Sequence, residues 1–442
     1  MAIDTRIRCG ATTLVAVLLT VLGASSGPAP SVSPPHAHER LDSDEIELTG
    51  NAGRPRDSTK PKITAYFTHE SYGPLRRARL VVTDNAPSLD LQVYRAGGET
   101  VGTGPSDVML GVPVTDRIRL GAVHGRRAFW ISLGHWTSGV YFVRLTAPGE
   151  RVGFAPFVLR PSRLGEHRIA VVLPTQTWQA YNFRDDDGDG RPDTWYAGWR
   201  TMHARLIRPF LDRGVPPHWK RYDAPFIRWL TATHPGVDYL SDAELRSVRE
   251  GDALAQAYDL IVFPGHHEYV TAHEYDVVER YRDLGGNLAF LAANDFFWKI
   301  AIRGHVMTRV AEWRDLGRPE AALIGVQYRA NDRGGHRGPW ILRSGAQSTP
   351  WLFAGTSLAT RRTFGRGGIE IDSTAPASPA GLTVLAEIPN LYGPGYTAQM
   401  TYYETPSGAR VFAAGAFSLA RSVWSPAIEQ LVSNLWAHLA AP

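Results

Sequence analysis

Two histidines and a glutamate, His266, His267 and Glu268, follow the apolar run Asp259-Leu-Ile-Val-Phe-Pro-Gly265. An imidazole titrates near neutrality and a carboxylate takes up or releases protons, so this triplet suits general acid–base work or a metal ion. In extended backbone His266 and Glu268 point one way and His267 the other. Other polar groups follow similar apolar runs. Tyr181 and Asn182 come after Arg168–Leu173, Asn294 comes after Leu288–Leu291, and Tyr222 opens Tyr222-Asp-Ala-Pro-Phe-Ile-Arg-Trp-Leu230. Taken singly, each tyrosine reads as a core aromatic with a bonded hydroxyl. Gathered on one face, Tyr181, Tyr222, His266, Glu268 and Asn294 form a candidate site.

A second pattern is Asp185-Asp-Asp-Gly-Asp-Gly-Arg-Pro-Asp193. Asp185, Asp187 and Asp189 alternate, Gly190 permits a bend and Asp193 follows, a spacing at which a turning loop aims carboxylates at one Ca2+. The EF-hand pattern is incomplete, because its twelfth position is Tyr196 and not glutamate. The expectation is a structural calcium loop just after Tyr181.

Several chemistries are excluded. His267-Glu268 and His273-Glu274 begin like H-E-x-x-H, but their fifth positions are Thr271 and Val277. Gly23-Ala-Ser-Ser-Gly27 matches G-x-S-x-G without a strand before it or a helix after it. The one cysteine, Cys9, precedes the apolar stretch Ala11–Leu22, so beyond that stretch there is no thiolate for catalysis, disulfides or zinc. A net charge of +4 over 442 residues, without basic runs, offers no footprint for nucleic acid.

The elements that must position these residues fall into blocks. Arg6, Arg8, the Ala11–Leu22 stretch and small residues after it read as a secretory signal over 1–26, implying export with no stable membrane anchor after cleavage. Residues 27–62 are Pro/Ser-rich and lack a period, as in a disordered tether. From 63 to 160, alternating runs at Ala78–Thr83, Leu89–Tyr94, Ala128–Ser132 and Gly139–Leu145 predict a β-sandwich of immunoglobulin-like or fibronectin-like type. From 167 to 442, strand patterns alternate with helical ones such as Ala272–Leu284. This predicts an α/β domain with a mostly parallel, doubly wound sheet, and a hairpin at Met400–Gly415 added at one edge.

The set Leu173-Pro-Thr-Gln-Thr-Trp-Gln-Ala-Tyr-Asn182, Tyr222–Leu230, Val237-Asp-Tyr-Leu-Ser-Asp242, Gly265-His-His-Glu-Tyr-Val-Thr271 and Asn294-Asp-Phe-Phe-Trp298 resembles the large-subunit catalytic domain of the N,N-dimethylformamidase family, over roughly 167–442. The resemblance implies a glutamine amidotransferase-like fold without the cysteine. It also implies a mononuclear Fe(III) held by Tyr181, Tyr222 and Glu268, with His266 and Asn294 around the metal; apart from the resemblance, Glu404 on the Met400–Glu404 strand is a candidate second carboxylate that moves protons. Hard phenolate and carboxylate oxygens suit such an ion, and metal-activated water would hydrolyse the C–N bond of a small amide or formamide. Where the family commonly has Ser-His-Pro-Glu-Tyr, this chain has Gly265-His-His-Glu-Tyr269, and the family's separate small subunit is not part of it. A homo-oligomer is compatible with the sequence. The contrasting reading is an exported binder that keeps the fold without catalysis, with Trp178, Trp195, Trp199, Trp219 and Trp229 stacking on a sugar or peptide.

Overall fold

The computed structural model describes residues 60–99, 105–198, 201–332, 334–358, 363–417 and 419–441. The signal at 1–26, nearly all of the tether and Trp199 lie outside the described residues. Among the described residues no helix is long and apolar enough to cross a membrane.

Residues 64–159 build a seven-stranded sheet. Its spine is one strand, Arg77–Arg95, where the alternating runs suggested two. The register breaks between Ala86 and Leu89, around Pro87, which has no N–H for the ladder. Ile118–Ser132 pairs along one flank of this strand, while Thr64–Phe67 and Gly139–Ala147 share the other. Leu80, Leu91, Val143, Leu145 and Phe157 fill its core.

The larger sheet has eleven strands. Five are parallel, in the spatial order Asp238–Ser241, Ile169–Leu173, Leu260–Phe263, Asn287–Phe290 and Arg410–Ala413. Leu260–Phe263 is an unbroken apolar run because both of its faces are covered. Leu260 and Val262 enter one core cluster, Ile261 and Phe263 the other. Burying four such side chains stabilises the sheet by roughly 1.5–3 kcal/mol each. The helix Ala272–Asp283 covers one face; it starts in a Thr271–Glu274 capping box and stops before Gly285, whose φ is +97°.

The expected doubly wound, mostly parallel α/β architecture is not what forms. Beyond Arg410–Ala413 the sheet continues through six antiparallel strands, among them Ala398–Glu404, Thr383–Ile388, Arg337–Leu342 and Thr363–Ser373. Strand accounts for 38% and helix for 21% of the structure, so the fold is mostly β with mixed sheets, and the glutamine amidotransferase-like expectation falls with it. The reason is local: antiparallel neighbours join through turns and need no crossover helix, so residues 298–417 add strands without adding helical layers. The hairpin expected at an edge instead lies inside the sheet, joining its parallel and antiparallel halves. A third, four-stranded sheet combines Tyr269–Thr271, Trp298–Arg303, Val306–Glu312 and His203–Arg205.

Candidate functional site

Side chains at the carboxyl ends of the parallel strands converge. Pro174 ends the first of them, and the buried turn of helix Thr175–Ala180 delivers Tyr181. Gly265–Glu268 follows Leu260–Phe263, and Ala292–Phe297 follows Asn287–Phe290. The last two loops are zipped together. His267 N–H donates to Asp295 Oδ1 at 2.8 Å, Phe296 N–H to His267 O at 2.7 Å, and Trp298 N–H to Glu268 O at 2.8 Å. Asn294 and Phe296 sit at φ +56°, a left-handed conformation that non-glycine residues adopt at a cost. The Asp372 carboxylate holds it by accepting Asn294 N–H at 2.9 and 3.1 Å.

Glu268 is the hub. Tyr181 donates to its Oε2 at 2.8 Å, Tyr196 lies 3.0 Å from both oxygens, and Tyr269 donates to Oε1 at 3.1 Å. The Tyr196 hydroxyl also meets those of Tyr181, at 2.9 Å, and Tyr269, while Trp195 Nε1 donates to Tyr269 at 3.1 Å. His266 Nε2 lies 3.4 Å from Glu268 Oε2 and 3.4 Å from Glu370 Oε2. His267 points away, against Phe263, with Nδ1 on Gly265 O.

Burial sets the electrostatics. It raises Tyr181, Tyr196 and Tyr269 well above the ordinary phenol range, and the Glu268 charge adds to this. Burial likewise raises Glu268, partly offset by His266. For His266 burial acts downward, but Glu370, Glu268 and Asp295 together outweigh it and lift the imidazole to about 9. At His267 burial prevails and drops the imidazole to about 3. His218 packs edge-on to Tyr181, and loss of surrounding water, with the Arg221 and His266 charges, lowers it to about 4.

Of the residues expected here, Tyr181, His266 and Glu268 come together directly. Tyr222 stands on another wall: its ring lies 4.8 Å from Phe417, whose ring lies 4.9 Å from His266. Among the described residues it makes no hydrogen bond to Tyr181, Glu268 or His266, though the Glu370 charge contributes to raising it, as it does Tyr181. Asn294 is buried beside the zipped loops. Glu404 is not part of the cluster. It is exposed, accepts from Tyr402 at 2.6 Å and ends a strand antiparallel to the parallel set, which carries it to their amino ends, away from the site. The second carboxylate is Glu370, from Thr363–Ser373, which no local motif marked. In the sequence Tyr196 stands out only as the residue that breaks the EF-hand pattern, and Tyr269 only as the residue after Glu268.

The donor set was tested against the iron that the family resemblance implies. Phenol and carboxylate oxygens dominate, as a hard trivalent cation requires. Among the described residues the buried atoms His266 Nε2, Glu370 Oε2 and Asn294 Oδ1 have no well-formed hydrogen bond, the first two only facing each other at 3.4 Å, and such atoms are ones that an ion, water or ligand satisfies. The residues therefore fit such an ion, but the second phenol beside Tyr181 and Glu268 is Tyr196, not Tyr222.

In the acidic loop, carboxylate oxygens of Asp185, Asp187 and Asp193 lie within 4.8 Å of one another, whereas Asp189 is outside this group. The Asp189 carboxylate instead accepts Arg191 N–H at 2.8 Å. Asp185 accepts from Gly188 and Gly190 N–H, which lowers its pKa. The tryptophans offered for stacking are core residues: Trp178, Trp195, Trp219 and Trp229 are at most 6% exposed.

Fold and site together define a mixed-sheet protein with an enclosed tyrosine–carboxylate centre at its parallel strand ends. Residues 130–427 match the family model described as N,N-dimethylformamidase beta subunit-like, C-terminal, and the chain belongs to that family. The N,N-dimethylformamidase beta subunit of Paracoccus aminophilus is 29% identical over 192 residues, which cover 42% of this chain and 23% of that one. The corresponding subunit of an Alcaligenes species is 28% identical over 192 residues, with the same coverage. The chain thus spans less than a quarter of these relatives' length. Among solved structures, a superoxide reductase (neelaredoxin) from Ignicoccus hospitalis aligns at 17% identity over 23% of this chain and 80% of that one, with a TM-score of 0.15, too low to carry an argument.

Proposed function

We propose that the chain is a hydrolase of C–N bonds in small amides or formamides, working at the Tyr181–Glu268–His266 centre with iron as its cofactor. The observation that carries this reading is the convergence of three phenol hydroxyls and an imidazole on the Glu268 carboxylate within the protein. Family membership supports it. Tyr181 and Glu268 would hold the ion, with Tyr196 the phenol nearest to both and Tyr222 the one the family pattern implies. When bound, such an ion acidifies water and polarises an amide carbonyl.

The chain's own groups supply the rest. His266, between Glu268 and Glu370, has a proton position at Nε2 from which a departing amine nitrogen can be protonated. Glu370 pairs with that imidazole at 3.4 Å and so helps to orient it. The buried Asn294 amide, pinned through its backbone by Asp372, is a neutral group able to hold a substrate's polar atom without adding net charge. The Phe417, His218 and Tyr222 rings, in contact with one another beside His266, form an aromatic wall suited to the apolar substituents of a small amide.

The test is to load the purified chain with ferric iron and measure amine release from formamide, N-methylformamide, N,N-dimethylformamide and acetamide. About one iron per chain and turnover that His266→Ala abolishes are expected. Iron bound at that ratio with no turnover of any amide above the free-metal blank would sink the hydrolase reading.

A further inference from the structure

A cleft of about 300 Å3 lies between the first sheet and the four-stranded sheet, lined by Tyr66, Thr68, Arg79, Arg205 and His305 together with two aliphatic side chains. No acidic side chain is among the lining residues. Arg79 comes from the Arg77–Arg95 strand and Arg205 from His203–Arg205, so two exposed, permanently charged side chains from different sheets line one space. Among the described residues neither guanidinium has a hydrogen bond or an ion pair. Several other arginines are matched, as in Arg208–Asp186, Arg246–Glu70 and Arg318–Glu279. The Tyr66 hydroxyl accepts from Arg126 Nη2 at 2.6 Å, which leaves its own hydrogen free to donate into the cleft.

We propose that this cleft binds a small organic dianion, a dicarboxylate or a phosphate monoester, independently of the centre described above. Like charges that share a cleft repel, and an anion between them turns that cost into attraction. Each guanidinium fork matches a carboxylate or phosphate edge through two parallel hydrogen bonds. With Tyr66 and Thr68 the site offers donors on several sides, and its volume is at the lower end of the range for small-molecule pockets, which argues against a bulky ligand. The wall carrying Arg205 continues through Ile207 to Arg208, whose Nη2 donates to Gln179 O at 3.0 Å and Asn182 O at 2.8 Å on either side of Tyr181. An occupant therefore rests on the segment that braces Tyr181.

Calorimetric titration of the whole chain with succinate, inorganic phosphate and neutral succinamide, at matched ionic strength, tests this. Saturable binding of at least one anion is expected, with no heat from succinamide. Arg79→Gln with Arg205→Gln should weaken it at least tenfold, the loss expected for charge-assisted pairs. The lysine versions, which keep charge without the fork, should fall between and guard against a glutamine variant that misfolds. The preference between succinate and phosphate identifies the headgroup. No saturation up to about 10 mM, where only affinities too weak for a built site remain, overturns the proposal, as does equal binding of succinamide or unchanged binding by the folded double variants.

Discussion

The Tyr196 hydroxyl stands 3.0 Å from each oxygen of Glu268, although the two residues are 72 positions apart in the chain. It shares that carboxyl group with Tyr181 and Tyr269, so the anion that Glu268 forms on losing its proton is solvated by phenols in place of water.

Removing the Tyr196 hydroxyl leaves part of that anion without a donor. Tyr196→Phe should therefore cost about 1–3 kcal/mol of stability, read as a lower urea midpoint at unchanged slope. A change of a few tenths would mean that Tyr181 and Tyr269 suffice.

The two candidate second phenols can be separated in the iron-loaded chain. Tyr196→Phe should weaken the visible phenolate-to-iron absorption band more than Tyr222→Phe, because only Tyr196 is bonded to both Tyr181 and Glu268. The opposite order would mean that Tyr222 moves to the metal when iron binds.

Asp372 provides a pH dependence that can be followed without metal. Burial raises its carboxyl from 3.8 to about 8, so between those values the folded chain holds a proton that the unfolded chain has released. A raised acid pKa gives stability that is complete below the unfolded value and lost as pH climbs through the folded one. Stability should accordingly fall by up to about 1.4 kcal/mol per pH unit between pH 4 and 8 from this group. Asp372→Asn should flatten that slope in urea melts at pH 5, 6, 7 and 8; an unaltered slope would assign it to other buried acids such as Glu320.

For the acidic loop, calcium held by Asp185, Asp187 and Asp193 should stabilise the chain by about 2.7 kcal/mol at a concentration 100 times the dissociation constant. Thermal melts with calcium and with a chelator measure it. Asp193→Ala should abolish the difference, whereas a melt insensitive to calcium would leave the loop as a solvated turn, held by its Gly188 and Gly190 N–H bonds to Asp185.

Part of the site was legible because its signals are local. His266 and Glu268 follow an apolar run directly, and alternation along extended backbone placed them together with His267 turned away. Glu370 had no comparable signal. It lies in the middle of an antiparallel strand, and only pairing of that strand with distant partners brings it to His266. The Glu404 expectation failed for the matching reason: strand direction decides which sheet edge a residue reaches, and direction is not written in a strand's own residues.

The sequence by itself determined where the chain is apolar on both faces and which loops carry acids, phenols and imidazoles, along with the family to which it belongs. Those properties depend on neighbours a few residues apart. Tertiary structure alone decided that the sheet runs on through antiparallel strands, that Tyr196 and not Tyr222 adjoins Tyr181, and that Arg79 and Arg205 line one cleft. Each depends on contacts between segments far apart in the chain, where many pairings bury similar apolar area and only the packing of the whole selects one.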